Sequence, residues 1–148
     1  MNRIPLVTTT ALVAGAGLVL AVSAAGTASP APQAKSHRLS FTAHALSSVQ
    51  SGRTHLIESD KAVKSGSIIG YTANSCTFDF AAGQAHCLVT LARPQGQLRS
   101  KVTVDAQTGR SVGRITGGSG AYRGAKGTVT GQEGASRDTV KITLHWTN

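Results

Sequence analysis

The chain has 148 residues and a formal net charge of +9, from 15 Lys and Arg against 6 Asp and Glu. Aromatic residues make up 4% of it and the basic residues form no block, which argues against stacking on single-stranded nucleic acid, so no nucleic acid is expected as a partner. The histidines, His37, His44, His55, His86 and His145, fall on separate segments and complete no metal site with the two cysteines, so neither a metal nor a cofactor is expected.

Met1-Asn2-Arg3 is short and basic, and an apolar run follows from Ile4 to Ala25. Small residues then supply exits after Ala24 or Ala28. This pattern predicts a secretory signal peptide over residues 1–28 and a secreted, extracellular protein. A membrane anchor is the rival reading, but glycines in the run and the Ser/Pro/Ala-rich segment behind it favour cleavage. Residues 29–37 read as a disordered leader. No later stretch is apolar enough to span a membrane. Residues 38–148 remain, enough for one domain with a modest core.

From Arg38 onward apolar and polar residues alternate, and helical periodicity is nearly absent. Leu39, Phe41, Ala43 and Ala45 share one face of a first strand. The segment from His55 to Val63 alternates less cleanly. Runs follow at Ile68 to Phe80, Ala85 to Leu91, Leu98 to Val104, Val112 to Thr116 and Lys126 to Thr130. The last strand sets Val140, Ile142, Leu144 and Trp146 against Thr139, Lys141, Thr143 and His145. About eight short strands with Gly-rich turns between them predict an all-β fold, a sandwich or barrel.

Cys76 and Cys87 flank a hairpin centred on Ala81-Ala82. Counting outward pairs residue 78 with 85 and 76 with 87, so the cysteines face each other across the ladder. An oxidising compartment then predicts a Cys76–Cys87 disulfide.

Seven glycines fall between Gly113 and Gly131. Arg123 breaks a dinucleotide fingerprint, Ala121 breaks a hydrolase elbow, and no P-loop Lys follows. The run Ile115-Thr116-Gly117-Gly118-Ser119-Gly120-Ala121-Tyr122-Arg123-Gly124-Ala125-Lys126-Gly127 instead resembles the glycine loop of the allene oxide cyclase-like barrels, related in fold to dirigent proteins. Ile69-Gly70-Tyr71-Thr72-Ala73-Asn74-Ser75-Cys76 resembles a second stretch of the plant cyclases. The resemblance implies a closed eight-stranded antiparallel barrel with a mostly apolar cavity. It also implies a homotrimer, as in the plant members, and a small hydrophobic molecule as partner. The expected function is to bind that molecule and steer its cyclisation or isomerisation. The alternatives are a non-catalytic, dirigent-like binder and a basic surface-binding protein with a filled barrel. The plant site residues transfer poorly: their thiol position is Cys76, their first-strand Glu falls at Ala43, their Tyr at Thr108, and their Asn near Asp60 or Lys61.

Glu58 and Asp60 are the candidate catalytic groups. Two residues apart on a strand, they point to one side about 7 Å from each other. Facing a cavity, such a pair raises one pKa and provides a general acid. The competing reading turns both outward, with Ile57 and Val63 inside. Phe41, Thr72 and Asn74 are candidate ligand contacts if Cys76 faces in; Asn74 either orients a ligand or bonds to backbone. Tyr122 either closes the cavity or plugs the barrel end. Arg123 either holds a ligand carboxylate or is surface charge. Asp79, Asp105 and Asp138 read as turn or surface charge.

Overall fold

The computed structural model describes residues 34–136 and 138–148. The expected signal peptide and the leader up to residue 33 lie outside them. Eight strands follow in order: β1 Ser36–Ser51, β2 His55–Lys64, β3 Ser67–Asp79, β4 Gln84–Arg93, β5 Gly96–Asp105, β6 Arg110–Gly118, β7 Lys126–Glu133 and β8 Thr139–Thr147. Every strand pairs with the next, and β1 closes the ring antiparallel to β8. The alternation read in the sequence is what this closure requires, because a barrel buries alternate residues of every strand. Leu39, Phe41 and Ala43 of β1 are buried, as are Leu98 and Val102 of β5 and Leu144 and Trp146 of β8. β1 begins at Ser36, two residues before the expected start of the barrel.

The glycine-rich segment closes one end. A single 3-10 turn, Gly120–Tyr122, links β6 to β7 and drops Tyr122 into that end of the barrel. Its ring meets Trp146 edge-on at 5.7 Å, and Arg93 Nη1 donates to its hydroxyl at 3.0 Å. The turn lies hard against the β4–β5 hairpin: Ala121 N–H donates to the Gln95 carbonyl and Ser119 N–H to that of Gln97. Gly120 has φ +58°, and a Cβ there would strike the Gln95 carbonyl. Only glycine satisfies both the left-handed backbone and this close approach.

Three register shifts distort the sheet: one in β1 between Ala45 and Ser47, one between Ala62 and Val63 where β2 meets β3, and one between Arg99 and Ser100 where β5 meets β6. The first two bracket the inner half of β2, where the sequence alternated poorly. Bulges bend and twist a strand locally, which suits the curvature of a closed sheet.

Cys76 and Cys87 are cross-strand partners with Cα atoms 4.0 Å apart, and they form a disulfide. Both are buried on the inner face. The bond ties the β3–β4 hairpin, which bounds the open end. Replacing both cysteines with alanine is expected to lower the unfolding free energy by about 2 to 3 kcal/mol, as closure of so short a loop predicts; urea unfolding of the oxidised protein and the double variant measures the difference.

Candidate functional site

The opposite end of the barrel, carrying the β1–β2, β3–β4, β5–β6 and β7–β8 connections, leads into a cavity of about 260 Å³. The barrel is therefore hollow, and the filled-barrel alternative does not describe it. The walls are mostly apolar: Phe41, Leu56, Phe78, Val89, Leu91 and Leu98 are among them. The Cys76–Cys87 disulfide forms part of the lining, so the thiol suggested by the family pattern is not free.

Polar groups concentrate on β2 and β3. Glu58, Asp60, Thr72 and Asn74 all line the cavity, with Glu58 opposite Asn74 and Asp60 opposite Thr72 in the ladder. Residues two apart on a strand share a face, so each strand contributes a pair at matching levels. The outward alternative for the acids is not what the chain adopts: Asp60 is 5% exposed, while Ile57 faces solvent at 54%. Both Thr72 Oγ1, at 2.5 Å, and Asn74 Nδ2, at 2.8 Å, donate to Asp60 Oδ2. The Asp60 carboxylate is thus fixed in one orientation by two donors. The donation from Nδ2 sets the amide orientation and leaves Asn74 Oδ1, fully buried, with no hydrogen-bond partner.

Burial pushes the Glu58 carboxyl above its usual range; the neighbouring Asp60 charge pushes it further, and a hydrogen bond from Asn74 partly opposes both. Because this pKa is raised in the folded state, stability is greatest below the ordinary carboxyl pKa of 4.5 and falls as pH rises through the folded value. Glu58→Gln is therefore expected to unfold at higher temperature than the parent at pH 7 and to lose that advantage at pH 4. Thermal scans at the two pH values check the sign.

The remaining candidates lie elsewhere. Phe41 lines the cavity deep in β1. Tyr122 is buried on the floor beneath Trp146 and is not among the cavity-lining residues, so its ring plugs the end. Arg123 is exposed on the outside of that floor, where it cannot reach a molecule in the cavity. Three polar lining residues were not singled out from the sequence: Ser100, Ser111 and Glu133; Asp138, read there as turn or surface charge, is exposed and also lines the cavity. Ser100 interrupts the inward face Leu98, Val102, Val104, which was a usable signal. Glu133 and Asp138 flank the β7–β8 connection, where no periodicity reports which way a side chain points. Asp79 and Asp105 are turn residues: Asp79 accepts from Ala82 N–H, and Asp105 accepts from the N–H groups of Gln107 and Thr108. Those last bonds, that from Thr108 foremost, hold the Asp105 carboxyl below its usual range.

Among the described residues no cluster of His, Cys, Asp or Glu is arranged to hold a metal ion, and no helix is long and apolar enough to cross a membrane.

No family model and no curated protein matches the chain. Solved structures do match. The barrel superposes on a pyocyanin demethylase with a TM-score of 0.64 at 20% identity, over 75% of this chain and 100% of that one. It superposes on the pterocarpan synthase dirigent protein GePTS1 with a TM-score of 0.63 at 12% identity, over 80% and 87%. It matches the Diels-Alderase AbmU from Streptomyces koyangensis with a TM-score of 0.61 at 14% identity, over 79% and 70%. At these identities the likeness is one of fold.

Proposed function

We propose that this chain, whose fold is that of the dirigent and cyclase barrels, is an exported protein that takes a small hydrophobic molecule into its cavity and steers its cyclisation or isomerisation. The observation that carries the reading is the polar cluster of Glu58, Asp60, Thr72 and Asn74 set into the wall of an otherwise apolar cavity. A few placed polar groups in an apolar cavity are the usual design of a small-molecule site.

Each residue then has a role. The apolar walls, Phe41 and Leu91 among them, hold the molecule folded, which converts a floppy reactant into one close to its reactive geometry. Asn74 orients it. Glu58, with its raised pKa, is the proton donor or acceptor, and proton transfer by a placed group contributes roughly 10²- to 10⁴-fold. Asp60 is a positioning residue. Its charge sustains the Glu58 pKa, and its bonds to Thr72 and Asn74 fix the amide. The named structural neighbours include a demethylase and a Diels-Alderase, which supports a barrel that acts on small molecules.

A non-catalytic binder is the second reading, favoured by the disulfide that occupies the cavity wall and by a carboxylate, Asp60, already satisfied within the protein. Native mass spectrometry of the protein purified from its producing culture tests both. The first reading expects a co-purifying small molecule that wild-type protein converts on addition of fresh compound; a binder releases it unchanged. The same spectrum gives the oligomeric mass, expected to be that of a trimer, and the N-terminal residue, expected to follow Ala24 or Ala28.

A further inference from the structure

We propose that the cavity selects a hydrophobic cation: a compact apolar body, about two fused rings in size, bearing a protonated nitrogen that points at Glu58 and Asn74. This rests on the cavity being a ligand site. The chain separates its charges by sign. It has 6 Asp and Glu in all, and Glu58, Asp60, Glu133 and Asp138 line this one cavity. The remaining two, Asp79 and Asp105, are bound in turns. The chain has 15 Lys and Arg, yet among the described residues no Lys, Arg or His lines the cavity.

The acids are also placed in sequence from outside to inside. Glu133 ends β7 and Asp138 precedes β8, both exposed beside the opening. Glu58 is partly buried further along β2, and Asp60 is buried two residues deeper. A cation entering from the mouth therefore meets carboxylates along its whole path. An anion is drawn to the basic exterior, but inside it would lie unpaired beside two acids, an arrangement that low-dielectric surroundings penalise heavily.

A protonated amine brings donors and positive charge together, so one group can both hydrogen-bond to the Glu58 carboxylate and balance its charge. Charge-assisted hydrogen bonds are roughly twice as strong as neutral ones. The apolar walls then take the rest of the molecule.

Three probes of one shape separate charge from size: 1-naphthylmethylammonium, 1-naphthylmethanol and 1-naphthoate, titrated calorimetrically into the protein at pH 7. The ammonium is expected to bind at least tenfold more tightly than the alcohol, with no measurable binding of the naphthoate inside the barrel. In Glu58→Gln/Asp60→Asn the ammonium should fall to within threefold of the alcohol measured on the same variant. In Glu133→Gln/Asp138→Asn, which alters only exposed rim residues, the ammonium should weaken two- to threefold. Equal binding of ammonium and alcohol, or ammonium binding unaffected by both double variants, overturns the cation preference while leaving a ligand site in place. If none of the three binds, the ligand-site reading falls with it.

Discussion

Tyr122→Ala is expected to lower the unfolding free energy by about 3 to 5 kcal/mol, the usual cost of truncating a buried large aromatic side chain. The ring is 5% exposed and packs edge-on against Trp146. Its hydroxyl also accepts from Arg93, whose Nε donates to the Ile69 carbonyl of β3. Removing the side chain thus opens the barrel floor and releases a guanidinium that ties β3, β4 and the glycine loop. The loop has little room to collapse into the gap, because it is already pressed against the β4–β5 hairpin: a Cβ on Gly120 would strike the Gln95 carbonyl, and one on Gly118 the Gln97 carbonyl. For a domain of this size each kcal/mol moves the melting temperature by about 4 to 8 °C. Tyr122→Phe keeps the plug and loses only the hydroxyl, so a cost of about 1 to 2 kcal/mol is expected. Arg123→Ala, one residue on and exposed, should stay within about 0.5 kcal/mol of the parent. Urea unfolding of the three variants gives the ranking, and equal midpoints for Tyr122→Ala and Arg123→Ala would contradict the role given to the glycine loop.

The largest functional effect is expected at Glu58. Glu58→Gln keeps the shape of the side chain and its contact with Asn74 but can no longer exchange a proton. Turnover of the bound molecule should fall by about 10²- to 10⁴-fold, with its dissociation constant changed far less. Asp60→Asn acts indirectly. The Asp60 charge helps hold the Glu58 pKa up, so neutralising it lowers that pKa toward the usual carboxyl value. If Glu58 works as the protonated acid, activity is lost as pH rises through its pKa, and Asp60→Asn moves that limb to lower pH. A merely structural Asp60 would reduce activity without displacing the limb. Single-turnover rates across pH for the parent and both variants separate the two roles. A Glu58→Gln protein that converts the molecule at the parental rate would remove Glu58 from the chemistry and leave steering by the cavity walls alone.

Much of this arrangement could be read from residue order, and the exceptions have physical causes. Strands with one apolar face, such as Leu98 to Val104 and Val140 to Trp146, declare themselves because closing a barrel demands alternation. The cysteine register follows from counting outward through a short hairpin, and Cys76↔Cys87 is the pairing found. Thr72 and Asn74 come with it, since they share parity with Cys76. β2 was harder. Hydrophobicity places Ile57 inside and the acids outside, whereas the chain turns Ile57 to solvent and buries Asp60. Polar residues that face a cavity invert the pattern that identifies a core, so a site hides most effectively where it is richest. The flanking register shifts remove the neighbours that would have fixed the phase. The rim acids Glu133 and Asp138 sit at a connection, where turn chemistry and cavity lining demand the same residue types.

The central claim is that the barrel encloses a ligand-sized space with Asn74 and Glu58 turned into it. A crystal structure of the protein as purified from its producing culture tests this most directly. Electron density for a compact non-protein molecule is expected between Phe41 and Leu91, with a polar atom within about 3 Å of the Glu58 carboxyl group. A barrel in which Phe41 and Phe78 meet across the centre and Asn74 bonds to backbone, leaving no room for a ligand, would contradict it.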